Sequence, residues 1–170
     1  MNILVTADGP LAWRRPDGTT RRVRCAIGRG GVGVKSREGD GITPLGKFPL
    51  RRVFFRPDRL QPPATGLRVV ALQENQGWCD DPGDSAYNTL VVLPCPGRHE
   101  RMWRDDDRYD IVIETGFNDD PVMAGRGSAI FVHIAPPDYR PTEGCVALAR
   151  PDLLDLLADC DAASSIEIRL

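Results

Sequence analysis

A chain of 170 residues is long enough to bury a core without disulfide help, and its length fits one domain, 1–170. With 41% hydrophobic and 27% charged residues and a formal net charge of −2, it has the composition of an ordinary globular protein, which excludes binding to nucleic acid through bulk charge. Five cysteines at irregular spacing form neither a C-x-x-C pair nor a secreted disulfide framework, and no stretch has the length of a membrane span.

In chain order, the first expected strand is Asn2–Thr6, which lacks the basic and long apolar regions of an export signal. A cytoplasmic protein is therefore expected from the sequence as written, with periplasm or cell envelope as the alternative if the N-terminus is incomplete or export is unconventional. A second strand is expected over 22–27, followed by Gly28-Arg29-Gly30-Gly31-Val32-Gly33. That run satisfies the dinucleotide pattern G-x-G-x-x-G, but the residues after it carry no helical apolar period, so no nucleotide cofactor is expected. Further strands are expected over 48–55, 89–93, Ile111–Thr115, 129–134 and Ser165–Arg169. A short helix is expected over 99–105. A clearer one is expected over 151–160, where Pro151 suits the first turn, Asp152 complements the dipole, and Leu153, Leu154, Leu156 and Leu157 supply an apolar stripe. The expected fold class is thus mainly β with one or two helices (α+β). Fifteen prolines and seventeen glycines point to long ordered loops, the usual place for a binding cleft in a small β domain.

Two histidines and scattered cysteines match no metal spacing, and adjacent carboxylates such as Asp80-Asp81 point to opposite faces of an extended chain, so neither a metal nor a paired-carboxylate site is expected. The sharper signal lies near the C-terminus. His133 closes the apolar run Ser128-Ala129-Ile130-Phe131-Val132, and a loop of eleven residues returns to Cys145 in the turn Thr142-Glu143-Gly144-Cys145-Val146-Ala147-Leu148. Gly144 permits a backbone in which successive amides converge on an oxyanion beside the sulfur. A Cys/His nucleophile pair and a coincidence of two ordinary core residues are both open at this point.

Together with Gly39-Asp40-Gly41-Ile42-Thr43-Pro44-Leu45-Gly46-Lys47-Phe48, these segments resemble the L,D-transpeptidase (YkuD) family, in which a T-P-x-G-x-F stretch precedes a histidine strand and an S/T-x-G-C turn. The resemblance covers 25–170 best and implies a β-sandwich or barrel domain without cofactor or metal. It also implies acyl transfer on peptidoglycan stem peptides or muropeptides, with Cys145 as nucleophile, His133 as base and then acid, the amides of Gly144 and Cys145 as oxyanion donors, and the Ile134 carbonyl orienting the imidazole. Departures are Glu143 and Ala147 at positions that are commonly basic, and Ile134-Ala135 after the histidine. With those cations missing and a carboxylate added, Cys145 is expected to depend on His133 for its thiolate. Arg126 is a candidate grip for a substrate carboxylate or else a solvated loop residue. Thr142, Tyr139, Trp78 and Asn118 are candidates for lining the cleft, with loop or core packing as the alternative. No obligate protein partner is evident. A hydrolytic L,D-carboxypeptidase, a noncatalytic peptidoglycan-binding module and a redox sensor using Cys79 or Cys95 are the competing readings.

Overall fold

A computed structural model describes residues 1–170. Its strands are β1 (Asn2–Thr6), β2 (Leu11–Arg14), β3 (Thr20–Val23), β4 (Cys25–Ala26), β5 (Val32–Gly33), β6 (Thr43–Pro44), β7 (Gly46–Phe55), β8 (Arg68–Ala71), β9 (Gln76–Cys79), β10 (Leu90–Val92), β11 (His99–Arg101), β12 (Ile111–Thr115), β13 (Phe131–Ile134), β14 (Val146–Leu148) and β15 (Ser165–Arg169). The helix α1 (Arg150–Asp159) lies between β14 and β15. No helix is long and apolar enough to cross a membrane.

Ten strands form one sheet in the order β3-β2-β1-β15-β7-β12-β13-β14-β4, with β8 added beside β7. The two ends of that path, β3 and β4, are separated in sequence by Arg24 alone, so the chain crosses from one end of the sheet to the other within one residue. That connection brings the ends together and makes the sheet a nearly closed barrel. It also splits the strand expected over 22–27: Leu11 to Arg14 pair with β3, whereas Leu148 and Ala147 pair with β4.

Alternation along the strands divides the interior in two. On one face, Ile3, Val5, Val53, Ile113, Val132, Ile134, Val146, Leu148, Ile166 and Ile168 build the main core. Leu153, Leu156 and Leu157 of α1 pack into it, while Leu154, expected in the same stripe, is partly exposed. The helix starts without a side-chain cap; Pro151 and Asp152 occupy its first turn, and Arg150 pairs with the buried Asp110 that precedes β12. On the other face, Phe54, Val112, Phe131 and Cys145 meet Leu72, Trp78, Met102 and Tyr109, contributed by the chain around a second sheet of order β10-β9-β11. Phe131 sits edge-on to Trp78 at 4.9 Å and to Tyr109 at 6.1 Å, pairs worth about 1 kcal/mol each beyond area burial.

The second sheet corrects the helix expected over 99–105. His99, Glu100 and Arg101 instead pair antiparallel with Cys79, Trp78 and Gly77, and the chain then turns so that Met102 is fully buried. Local helix propensity there yields to strand pairing that seats Met102 in an apolar core. The strand expected from 129 begins at Phe131, because Ala129 has φ +52 and cannot extend the ladder.

Leu156 is fully buried beneath the barrel. Leu156→Ala should cost about 2–5 kcal/mol, seen as a lower urea midpoint at unchanged slope. A midpoint equal to wild type would show that α1 does not close this core.

Candidate active site

Strands β13 and β14 run parallel in the register Val132↔Val146 and His133↔Ala147. With Val132, Ile134, Val146 and Leu148 committed to the main core, the alternate residues Phe131, His133, Cys145 and Ala147 face the other way. His133 and Cys145 therefore project from neighbouring strands onto one face. The Phe131 N–H donates to Cys145 Sγ at 3.4 Å, and the thiol donates to the Ala129 carbonyl at 3.1 Å. His133 Nδ1 lies 2.9 Å from the Ile134 carbonyl. Since a carbonyl only accepts, Nδ1 carries the proton and Nε2 keeps its lone pair.

The turn before Cys145 is held from three sides. Gly144 has φ +137, and a Cβ there would lie 2.8 Å from the Ile42 carbonyl oxygen and 3.1 Å from Ile130, so both conformation and space demand glycine. The fully buried Thr43 hydroxyl accepts the Gly28 N–H at 2.8 Å and donates to the Gly144 carbonyl at 2.9 Å, tying β6 to the turn. Thr142 donates its N–H to the Ile27 carbonyl at 2.9 Å and accepts the Arg29 N–H at 2.8 Å. Its hydroxyl donates to the Cys145 carbonyl at 2.6 Å and accepts the Gly144 N–H at 3.1 Å. A Cβ on Gly28 would meet the Gly41 carbonyl oxygen at 2.1 Å and Gly144 Cα at 3.0 Å. The first glycine of the dinucleotide-like run thus serves close backbone approach to the cysteine turn.

Cys145, His133 and Thr142 line one cavity of about 440 Å³. Four carboxylates, Glu38, Asp80, Glu100 and Glu143, and four cations, Lys35, Arg104, Arg108 and Arg140, also border it. None of those cations, and of the carboxylates neither Glu38 nor Glu100, stands out in the sequence, because no spacing marks them. They converge only once β11 pairs with β9 and the 135–142 loop folds over β13.

Electrostatically the pair rests neutral. Burial pushes the Cys145 thiol up to about 12, Glu100 adds to that shift, and the Phe131 N–H and Lys35 oppose it. Burial also holds His133 down at about 4 against the Ile134 hydrogen bond. The carboxylate that opposes the thiolate is therefore Glu100. Glu143, for which that effect was expected, turns outward and pairs with Arg29 Nε at 2.9 Å. Lys35 lies in the buried pair Lys35 Nζ–Asp40 Oδ1 at 2.6 Å. Burial works to raise the Asp40 carboxyl, but the Lys35 hydrogen bond and the Ile42 and Ser36 amides bring it down to about 2.

Several residues expected in the cleft lie elsewhere. Arg126 is exposed on the loop after Gly125 and does not border the cavity. Trp78 is buried in the second core, its indole N–H donating to Asn88 at 3.0 Å. Asn118 adopts φ +50 and ties its own loop together through the Met123 and Gly127 carbonyls and the Met123 N–H. Tyr139 packs on Ala26, Ala135 and Ala147, with the Arg24 guanidinium 4.2 Å above its ring. Trp78, Asn118 and Tyr139 each satisfy a packing or polar demand of their own segment, and that demand leaves them outside the cavity. The Gly144 N–H, expected to aim at an oxyanion, is taken by the Thr142 hydroxyl, whereas the Cys145 N–H has no protein acceptor.

His133 is neutral when folded at about 4, below its ordinary 6.5, so the unfolded chain binds the extra proton first. The stability it contributes is present above pH 6.5 and is lost as the pH falls towards 4. That loss should approach about 3 kcal/mol and be absent in His133→Gln, measured as urea stability at about pH 7 and about pH 4.5. Equal acid sensitivity in both proteins would reject a buried neutral imidazole.

The chain aligns over all but 1% of its length with 60% of the Mycobacterium tuberculosis L,D-transpeptidase 1 crystal structure, at 12% identity and a TM-score of 0.45. No curated protein sequence matches. The model of the L,D-transpeptidase catalytic domain, YkuD, matches residues 3–168, nearly the whole chain, and the chain belongs to that family.

Proposed function

We propose that this protein carries out acyl transfer on peptidoglycan stem peptides, with Cys145 as the nucleophile. The observation that carries the reading is the placement of Cys145 and His133 on one face of adjacent parallel strands, bordering one cavity, with the imidazole oriented by the Ile134 carbonyl.

In this mechanism a stem peptide enters with the carbonyl of its third residue beside Cys145. His133 Nε2 takes the thiol proton as Sγ attacks that carbonyl. The tetrahedral oxyanion is received by the Cys145 N–H, since the Gly144 N–H is engaged by Thr142. The carbon–nitrogen bond then breaks, His133 returns the proton to the leaving D-alanine amine, and a thioester remains on Cys145. The amine of a second stem resolves it in transpeptidation, and water resolves it in L,D-carboxypeptidase action. Because both groups rest neutral, thiolate forms only as the substrate arrives, and no standing thiolate–imidazolium pair precedes it. Arg140 takes the carboxylate-binding role first considered for Arg126: it borders the cavity on the loop leading to Thr142, and its side chain has no carboxylate partner in the protein.

The neutral thiol also favours a second reading, a peptidoglycan-binding module without turnover. Intact-protein mass spectrometry after incubation with a tetrapeptide stem and, separately, a carbapenem separates the two. The wild type should gain a covalent adduct and release D-alanine, and Cys145→Ala should do neither. An unmodified wild type with undiminished stem binding would replace catalysis by binding. Arg140→Ala should raise KM about tenfold with kcat held within about twofold, the pattern of a binding contact shared by ground and transition states. An unchanged KM would remove Arg140 from the site.

A further inference from the structure

The four carboxylates bordering the cavity are not equivalent. Glu38 accepts the Tyr87 hydroxyl. Asp80 pairs with Arg98 Nε at 3.0 Å, and Glu143 with Arg29 Nε at 2.9 Å. Neither Glu38 nor Glu100 has a close cation, and of the two Glu100 is the one tied to Tyr109, whose ring stands edge-on to His133. Glu100 Oε1 accepts the Tyr109 hydroxyl at 2.7 Å, and the nearest guanidinium nitrogen, Arg104 Nη1, is 4.0 Å away. Arg104 is already committed, with Nε and Nη2 donating to Asp106 at 2.8 and 2.7 Å. Glu100 Oε2 has no protein donor.

A half-buried carboxylate with a free oxygen, bordering the same cavity as a cysteine whose thiolate it opposes, works against nucleophile formation. The other charged groups around it do not cancel it. Asp80 and Asp106 add negative charge, Arg104 is shared with Asp106, and Tyr109, edge-on to His133 at 5.4 Å, is a neutral donor. Desolvation raises the Glu100 carboxyl above its ordinary range, and it lies on the same side of the balance that raises Cys145. A ligand that brings an ammonium group to Glu100 satisfies the free oxygen and at the same time neutralises a carboxylate of the cavity that holds the sulfur.

We propose that Glu100 is the specificity-determining residue of this cavity, receiving a protonated amine of the substrate in the same cavity that Cys145 and His133 border. The identity of the bound molecule as a stem peptide rests on the acyl-transfer reading, but the preference for a cationic ligand rests on Glu100. The cation that completes the thiolate environment is then carried by the substrate, at a site where the basic neighbours common in the family are replaced by Glu143 and Ala147.

The test uses the full chain and two tetrapeptides ending in D-alanine, identical except for lysine or Nε-acetyllysine at the third position. Calorimetric binding is measured on Cys145→Ala and on Cys145→Ala/Glu100→Gln, so that it needs no turnover. The lysine peptide should bind at least about tenfold more tightly to the first protein, the ratio should fall to about one in the second, and Glu100→Asp should retain part of the preference. In the proteins that retain Cys145, Glu100→Gln should speed alkylation of Cys145 by the neutral reagent iodoacetamide about tenfold, equivalent to one pH unit of thiol acidity. Thermal melts confirm that each variant is folded. A lysine preference that survives Glu100→Gln, or an unchanged alkylation rate, overturns the proposal. Failure of either peptide to acylate the wild type, with the binding preference intact, counts against acyl transfer and leaves the amine site standing.

Discussion

The site depends on the parallel pairing of β13 with β14. Because Val132 faces Val146 in that register, the apolar residues of both strands fill the barrel core, and His133 and Cys145 are left on the opposite face. A slip of one residue would turn the thiol into the main core and Val146 towards the cavity, costing core burial on both faces. Hydrophobic packing thus fixes the geometry of two polar groups that contribute little to it themselves. The Thr43 hydroxyl and the bare Cα atoms of Gly28 and Gly144 extend that control to the turn, where the backbones approach too closely for any Cβ.

The legible part of this arrangement was local. His133 and Cys145 stood out because one closes an apolar run and the other follows a glycine in a turn, and α1 announced itself through Pro151 and its spaced leucines. β1, β12 and β15 read correctly from their β-branched residues alone. Closure of the sheet at Arg24 had no local signal, since the run around it looks like one strand and the change of partner comes from residues more than a hundred positions away. His99 to Arg101 misled for the opposite reason: the segment suits a helix by composition, and only Cys79, Trp78 and Gly77 hold it extended. Glu100 joins the polar wall of the cavity through that pairing, and Arg140 joins it on the loop leading to Thr142, so neither was legible from local pattern.

Charge around the thiol is set by which cations are already occupied. Lys35 is the buried cation that favours the thiolate, yet its Nζ is bound to Asp40, so the sulfur meets a dipole more than a full charge. Arg104 is likewise shared with Asp106, and Glu143 consumes Arg29. After these pairings the groups bordering the cavity without a close ion-pair partner are two carboxylates, Glu38 and, on β11, Glu100, and the cation of Arg140. A ligand with separated positive and negative ends is the electrostatic complement of such a wall.

Keeping Cys145 and His133 neutral has a stabilising side. A standing thiolate–imidazolium pair in a pocket this buried would incur the desolvation of two ions, and removal of either partner would strand the other. The neutral pair avoids that cost in the folded protein and leaves the thiol protonated, hydrogen-bonded to the Ala129 carbonyl and slow to oxidise. In the proposed mechanism, proton transfer from Sγ to Nε2 is driven by what enters the cavity. Where a fixed cation near the sulfur would keep a nucleophile permanently armed, the proposed role of Glu100 would make reactivity conditional on the charge of the guest.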